Sequence, residues 1–278
     1  MWLGQLGNEL GKLFRKRRTH LGFLVFLLAQ NLMILLFRFS PAFRQMERML
    51  DGNGYAAREY LSRLTIAMVV SIAMAYILVP LFIALVGGDL VAKEAEDGTL
   101  RMVLCRPISR LRLLTLKWMA GWLFAFLLVF ALGAFGLLFA GFWFPWGGMF
   151  VYVPGELFSV FAAGSGLRHY LLAHFFMAIQ AGSIMSLALM FSCFNLKPAA
   201  ATVLALSLVF VSLIMMNVPY FRDLQAWFLS YHLNVWQLIL AQPLPWGEIR
   251  ASLCLLAGLN LTCLVVGATA FHVRDIKS

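Results

Sequence analysis

Residues 118–142 read WMAGWLFAFLLVFALGAFGLLFAGF, a run without a single Asp, Glu, Lys or Arg. It exceeds the roughly 20 residues that a helix needs to cross a bilayer. Inside hydrocarbon a backbone has to satisfy its own hydrogen bonds, so the run is predicted to be helical. Five further runs lack the same four residue types: Leu21 to Phe37, Leu64 to Val86, Tyr170 to Cys193, Pro198 to Met216 and Ala251 to Phe271. The expectation is an all-α polytopic membrane protein with six transmembrane helices, forming one domain over residues 1–278.

Composition agrees. Hydrophobic residues make up 62% of the chain and charged residues 12%, against roughly 45–50% and 25% in soluble domains; mean hydropathy is +0.86. The formal charge of +10 does not point to nucleic acid, because the basic residues flank apolar runs and do not form a stripe among exposed aromatics. Anionic membrane lipids are the expected counterpart. Cys105, Cys193, Cys254 and Cys263 show no framework spacing and read as small apolar fillers. The first run ends at Phe37-Arg38 without a small-residue cleavage site, which predicts an uncleaved first span.

Orientation follows from the basic residues between runs. With the N-terminus in the cytosol, 14 of the 22 Lys and Arg lie on the cytosolic side, including all six lysines, Lys12, Lys16, Lys93, Lys117, Lys197 and Lys277. Both termini are then cytosolic. The first outer loop departs from the trend with Arg38, Arg44, Arg48, Arg58 and Arg63, and Glu47, Asp51 and Glu59 suggest a solvated helical hairpin with internal charge pairing.

Residues 1–20 carry Trp2, Leu3, Leu6, Leu10 and Leu13 at helical spacing, with Gln5, Asn8, Lys12 and Arg15 on another face. That predicts an amphipathic interfacial helix whose Lys12, Arg15 and Lys16 sit near lipid phosphates. Segments 143–168 and 217–250 are extracytosolic, aromatic-rich and either interfacial or re-entrant, with Trp146, Trp227, Tyr231, Trp236 and Trp246 in the aromatic belt.

Few groups could do chemistry. The six runs hold no ionisable side chain of the kind that ion-coupled transport uses except His174. His174 and His169 are five apart, without a third ligand nearby, and His174 reads as a bundle-facing or interfacial histidine. Gly164-Ser165-Gly166 reads as a flexible outer turn. Gln30, Asn31, Gln180, Ser183, Asn260 and Thr262 could line a substrate path, but hydrogen-bonded glue between helices is the plainer reading. No catalytic, cofactor-binding or metal-binding residue is predicted, and an integral-membrane enzyme would need convergent groups not found here.

The distinctive segment is 87–117, GGDLVAKEAEDGTLRMVLCRPISRLRLLTLK. Gly87-Gly88 can end the second span, and an acidic cluster of Asp89, Glu94, Glu96 and Asp97 leads to a turn at Gly98. Thr99 can cap a short helix on which Leu100, Val103 and Leu104 share a face; Pro107 ends it and Ser109 caps the next. Arg110, Arg112 and Lys117 are placed to snorkel to lipid phosphates. A solvated charged loop would suit this composition as well.

The order of these residues resembles the ABC-2 type permease family, membrane subunits of ATP-binding-cassette exporters: acidic residues, then Gly98-Thr99-Leu100-Arg101, then Arg106-Pro107-Ile108-Ser109-Arg110, then Lys117 before the third span. The resemblance implies a second permease copy, as homodimer or with a paralogue, and a separate ABC ATPase subunit. Glu94, Glu96, Asp97, Gly98, Thr99, Leu100 and Arg101 would form the coupling contact. This chain would hold no cofactor, ATP and Mg being bound by the partner, and it has no phosphate loop of its own. The expected place is the plasma (cytoplasmic) membrane of a bacterium. A membrane anchor or mechanotransmitting subunit that moves no substrate is the alternative.

Overall fold

The computed structural model describes residues 2–105, 108–153 and 157–274, with the side chains of Arg101, Val103, Leu104 and Leu157 also outside the description. The chain opens with α1 (Trp2–Arg15), α2 (Arg17–Phe39), α3 (Pro41–Gly52), α4 (Ala57–Tyr60), α5 (Arg63–Tyr76) and α6 (Leu78–Asp89). Next come α7 (Ala92–Glu96), α8 (Thr99–Leu104), α9 (Arg110–Gly141), β1 (Met149–Val153) and β2 (Leu157–Phe161). The remainder is α10 (Ala163–Cys193), α11 (Pro198–Asn217), a 3-10 segment (Pro219–Trp227), α12 (Leu229–Leu233), α13 (Val235–Leu238) and α14 (Trp246–Val273).

Five helices, α2, α9, α10, α11 and α14, are each long and apolar enough to cross a membrane, and the α5–α6 pair makes a sixth if counted as one span. The apolar run from Leu64 to Val86 is therefore not one straight helix. It bends by 46° between Tyr76 and Leu78. Pro80 lacks the N–H that would bond the Tyr76 carbonyl one turn back, and its ring crowds that carbonyl. Regular bonding resumes where Leu81 N–H meets the Ile77 carbonyl at 3.1 Å.

α10 is the central post, packed against α9, α6, α14 and α11. Small residues allow this closeness. A Cβ on Gly87 would lie 2.8 Å from that of Ala188, and one on Gly88 would lie 2.4 Å from the Thr202 hydroxyl. α6 ends at Asp89, one residue past the two glycines, which also let α10 and α11 approach it.

Polar residues inside the spans mostly bond across helices or to their own backbone. Gln30 donates to the Leu132 carbonyl at 2.8 Å, Asn260 to the Ser183 hydroxyl at 3.0 Å, and His174 contacts Ser71 Oγ at 3.1 Å and the Tyr170 carbonyl at 2.8 Å. Asn31 and Thr262 are exposed and bond within their own helices.

At the end of the bundle bearing α3 and α4, the structure departs from the sequence reading. Segment 143–168 contains an antiparallel β-hairpin, with Met149 opposite Phe161 and Phe150 opposite Val160. Phe150 joins Leu50, Ala57 and Leu61 in a small second core. Gly164-Ser165-Gly166 is the first turn of α10, not a flexible loop. The expected charge pairing in 38–63 is not seen among the described residues. Arg38 stacks on Trp143 and Phe144, Arg63 lies 4.4 Å over the Trp146 ring, and Asp51 accepts from the Ala57 N–H. Segment 217–250 folds back onto the bundle through α12 and α13. Trp236 is 0% exposed and packs edge-on against Tyr76, so it is a core residue and not part of an aromatic belt. Trp227, by contrast, is 85% exposed.

Candidate functional site

The opposite end of the bundle carries α1, α7 and α8. Glu9 is where the amphipathic pattern of α1 breaks, since it sits three residues after Leu6 and four before Leu13, on the apolar face. A carboxylate there needs a partner, and the partner is Lys117 of α9, whose Nζ lies 3.0 Å from Glu9 Oε2. The same Nζ lies 2.7 Å from Glu94 Oε1 on α7. Lys12 completes the group, 2.5 Å from Glu9 and 3.6 Å from Glu94. Two carboxylates and two ammonium groups thus tie three helices together.

The opposite charges favour the ionised forms of Glu9 and Lys12. Burial pushes the Glu9 carboxyl up, but Lys117 and Lys12 outweigh it and hold the group below the usual carboxylate value. Burial likewise lowers Lys12, and its carboxylate partners Glu9 and Glu94 raise it on balance. Neighbouring Lys16 lacks so close a counter-charge, and burial leaves it below the ordinary lysine value despite the pull of Asp89.

Two of the expected lipid-facing basic residues are corrected by this arrangement. Lys117 is 1% exposed and cannot snorkel, because its ammonium is closed in by Glu9 and Glu94. Lys12 turns to the same carboxylates. Arg110 donates to the carbonyls of Phe271, His272 and Arg274 and so finishes the C-terminus of α14, and Arg112 lies 5.0 Å over the Trp2 ring. Arg15 is exposed and Lys16 half-buried.

The predicted coupling residues divide into two sets. Glu94 faces inward to the ion cluster, and Leu100 is 0% exposed within the main core, an anchor worth about 1.5–3 kcal/mol. Glu96, Asp97 and Gly98 form an exposed tip. Lys93 bridges Glu96 at 2.8 Å and Asp97 at 3.1 Å, and these carboxylates raise its pKa. Gly98 has φ +71 with open space around it, so glycine is needed there for backbone conformation and not for room. The Thr99 hydroxyl, at the first residue of α8, donates 3.3 Å back to the Glu94 carbonyl on α7. Arg106 and Pro107 lie outside the described residues, as does Lys277. Ser109 caps α9 as expected, accepting from the Arg112 N–H.

Ser192 is a residue that sequence reading missed. From the end of α10 its hydroxyl accepts from the N–H groups of Val91 and Ala92, at 3.0 and 2.7 Å, and donates to the Gly88 carbonyl at 2.8 Å. It satisfies the backbone where α6 gives way to α7. A serine in an apolar run carries no signal of this; only the fold brings it to that turn. The arrangement as a whole is a short exposed tip fixed to α6, α9, α10 and α1 by charge, hydrogen bonds and one buried leucine. A push on the tip would reach several helices at once.

Residues 6–226 match the family model described as ABC-2 family transporter protein. No curated protein matches the chain. The matched stretch includes α1 from Leu6 onward, the ion cluster, the α7–α8 tip and α9 to α11.

Proposed function

This chain belongs to the ABC-2 transporter family, and is a multi-pass membrane permease of an ABC transporter; from that premise we propose that the α7–α8 tip receives a separate ABC ATPase subunit. The family is a membrane component, not itself catalytic. In this reading Glu96, Asp97, Gly98 and Thr99 make the docking contact, with Arg101 beside them, while Glu94 and Leu100 carry its movement inward. The observation that carries the proposal is the exposed tip joined to the Glu9–Lys12–Glu94–Lys117 cluster. A ligand shifts a conformational equilibrium only through differential contacts with the two states. The ATPase with and without nucleotide would supply those contacts.

The rest of the proposal follows from orientation and energy. The tip and both termini face the cytosol of a bacterial cell, two permease copies flank the path, and ATP with Mg is bound and hydrolysed in the partner. Transport is outward. A second reading, a mechanotransmitting subunit that moves no substrate, draws on the folded layer of α3, α4 and the hairpin at the other end, a surface on which force could act.

Co-purification from native membranes tests the docking contact. Tagged wild-type protein should bring down an ATPase with vanadate-sensitive activity. The Glu96→Lys/Asp97→Lys variant, altered only at exposed positions, should fold with an unchanged Tm and lose that ATPase. Equal recovery of the ATPase by both proteins, or none by either, would overturn the assignment.

A further inference from the structure

Where the α5–α6 bend, the end of α11 and the α12–α13 segment meet, they border a half-open cavity of about 660 Å³. That volume falls in the range of roughly 300–1,000 Å³ typical of small-ligand sites. Its polar lining comes from four amide side chains, Asn217, Gln225, Asn234 and Gln237, and the phenol groups of Tyr76 and Tyr231. Among the described residues no Asp, Glu, Lys, Arg or His lines it. The remaining wall is apolar, with Ile77 at the bend and Leu213 on α11. Asn234 and Gln237 lie beyond residue 226, where the family match stops.

The amides are held in place. Asn217 donates to the Leu213 carbonyl at 2.8 Å, Gln225 to the Met216 carbonyl at 3.0 Å, and Gln237 to the Tyr76 hydroxyl. An amide fixed through its nitrogen still has a carbonyl oxygen to offer a ligand donor. Asn234 is different: it is 6% exposed, and its amide nitrogen is buried without a partner. A buried donor left unpaired is costly; this one lies behind the cavity wall, out of reach of water, and would meet a ligand acceptor only after the Asn234 side chain turns toward the cavity.

We propose that this cavity binds an uncharged, hydroxyl-rich group, the sugar headgroup of a membrane glycolipid or the same sugar free in water. Among the described residues a charged ligand would meet no counter-charge on the lining itself, although Glu248 accepts from the Tyr231 hydroxyl at 3.4 Å, and a purely apolar one would strand the amides. A sugar offers hydroxyl oxygens to Asn234, hydroxyl protons to the amide oxygens, and C–H faces to the tyrosine rings and aliphatic wall. The site stands on the cavity itself and does not depend on the ATPase-docking assignment.

The test uses the full chain in nanodiscs. Bound digalactosyldiacylglycerol is counted by native mass spectrometry against phosphatidylglycerol, and digalactosylglycerol, the same headgroup without chains, is titrated by calorimetry. Saturable, selective binding is expected, weakened at least tenfold by Asn234→Leu and by Gln225→Leu. Asn234→Leu removes an unpaired polar group, so its Tm should equal or exceed that of wild type. Binding of the lipid alone assigns the membrane as the source, and binding of both shows that the sugar suffices. No binding of either probe, no preference over phosphatidylglycerol, or full affinity in both variants would overturn the proposal.

Discussion

Replacing Lys117 with methionine keeps the length of the side chain and removes its charge. In the intact protein Nζ lies 2.7 Å from Glu94 and 3.0 Å from Glu9, and the two carboxylate side chains are only 17% and 11% exposed. Without Lys117 they carry an excess negative charge that water reaches poorly. Removing one partner of a buried pair costs about 3–5 kcal/mol. Lys12 still stands 2.5 Å from Glu9 but is itself 45% exposed, so the loss should lie near the lower end, about 3 kcal/mol. At roughly 2–4 °C per kcal/mol, the Tm of the purified protein should fall by about 6–12 °C. The deficit should shrink between about pH 8 and pH 5, because a carboxyl left buried without its lysine takes up a proton and ceases to be charged. Lys117→Met/Glu94→Gln, which removes one charge of each sign, should recover much of the loss. A single variant whose Tm stays within about 2 °C of wild type, under 1 kcal/mol on the same scale, would refute the reasoning.

The same cluster sets an acid limit on the wild-type protein. Glu9 is held below its usual value of 4.5, so its contribution is fully present above that pH and is lost as pH falls through the depressed value; thermal scans below about pH 4.5 should show the loss, and Glu9→Gln should abolish that part of it. Ser192→Ala leaves the Val91 and Ala92 N–H groups without their acceptor, a cost of about 1–3 kcal/mol for each buried donor. Hydrogen–deuterium exchange should speed up at residues 90–93 before other parts of the bundle. Gly147→Ala would put a Cβ 2.2 Å from the Glu59 carbonyl oxygen, a backbone atom with little freedom to move. It should destabilise the protein by about 1–3 kcal/mol, measured as a fall in Tm. Arg110→Gln should fray the end of α14, seen as faster exchange at residues 270–274, because three carbonyls lose a charged donor.

Helical spans were legible because lipid leaves the backbone so few options. An apolar run without charges gives helix and approximate boundaries together, and five of the six runs became single helices. The hairpin was not legible, because alternation in MFVYV and LFSVF is hidden when both strand faces are apolar or aromatic. The bend at Tyr76 had a signal in Pro80, but proline is common in membrane helices and does not announce a break by itself. In the functional segment, residue order marked Glu94 to Arg101, yet it could not divide them into the outward tip and the inward pair Glu94 and Leu100. That division depends on which way a short helix faces its neighbours.

The sequence by itself determined a helical membrane protein, the family likeness of the segment from Asp89 to Lys117, and the lack of a phosphate loop in the chain. These are properties of composition and local order, in which each residue carries its meaning where it stands. The fate of the charges was decided only in three dimensions. Lys117 and Lys12 looked like snorkelling residues because lysine at the end of an apolar run has water within reach. Packing α1 against α9 and setting α7 beside them removes that water from Lys117 and supplies two carboxylates to both lysines. An ion pair between residues more than a hundred positions apart has no local signature, since its energy comes from a meeting that the fold alone arranges.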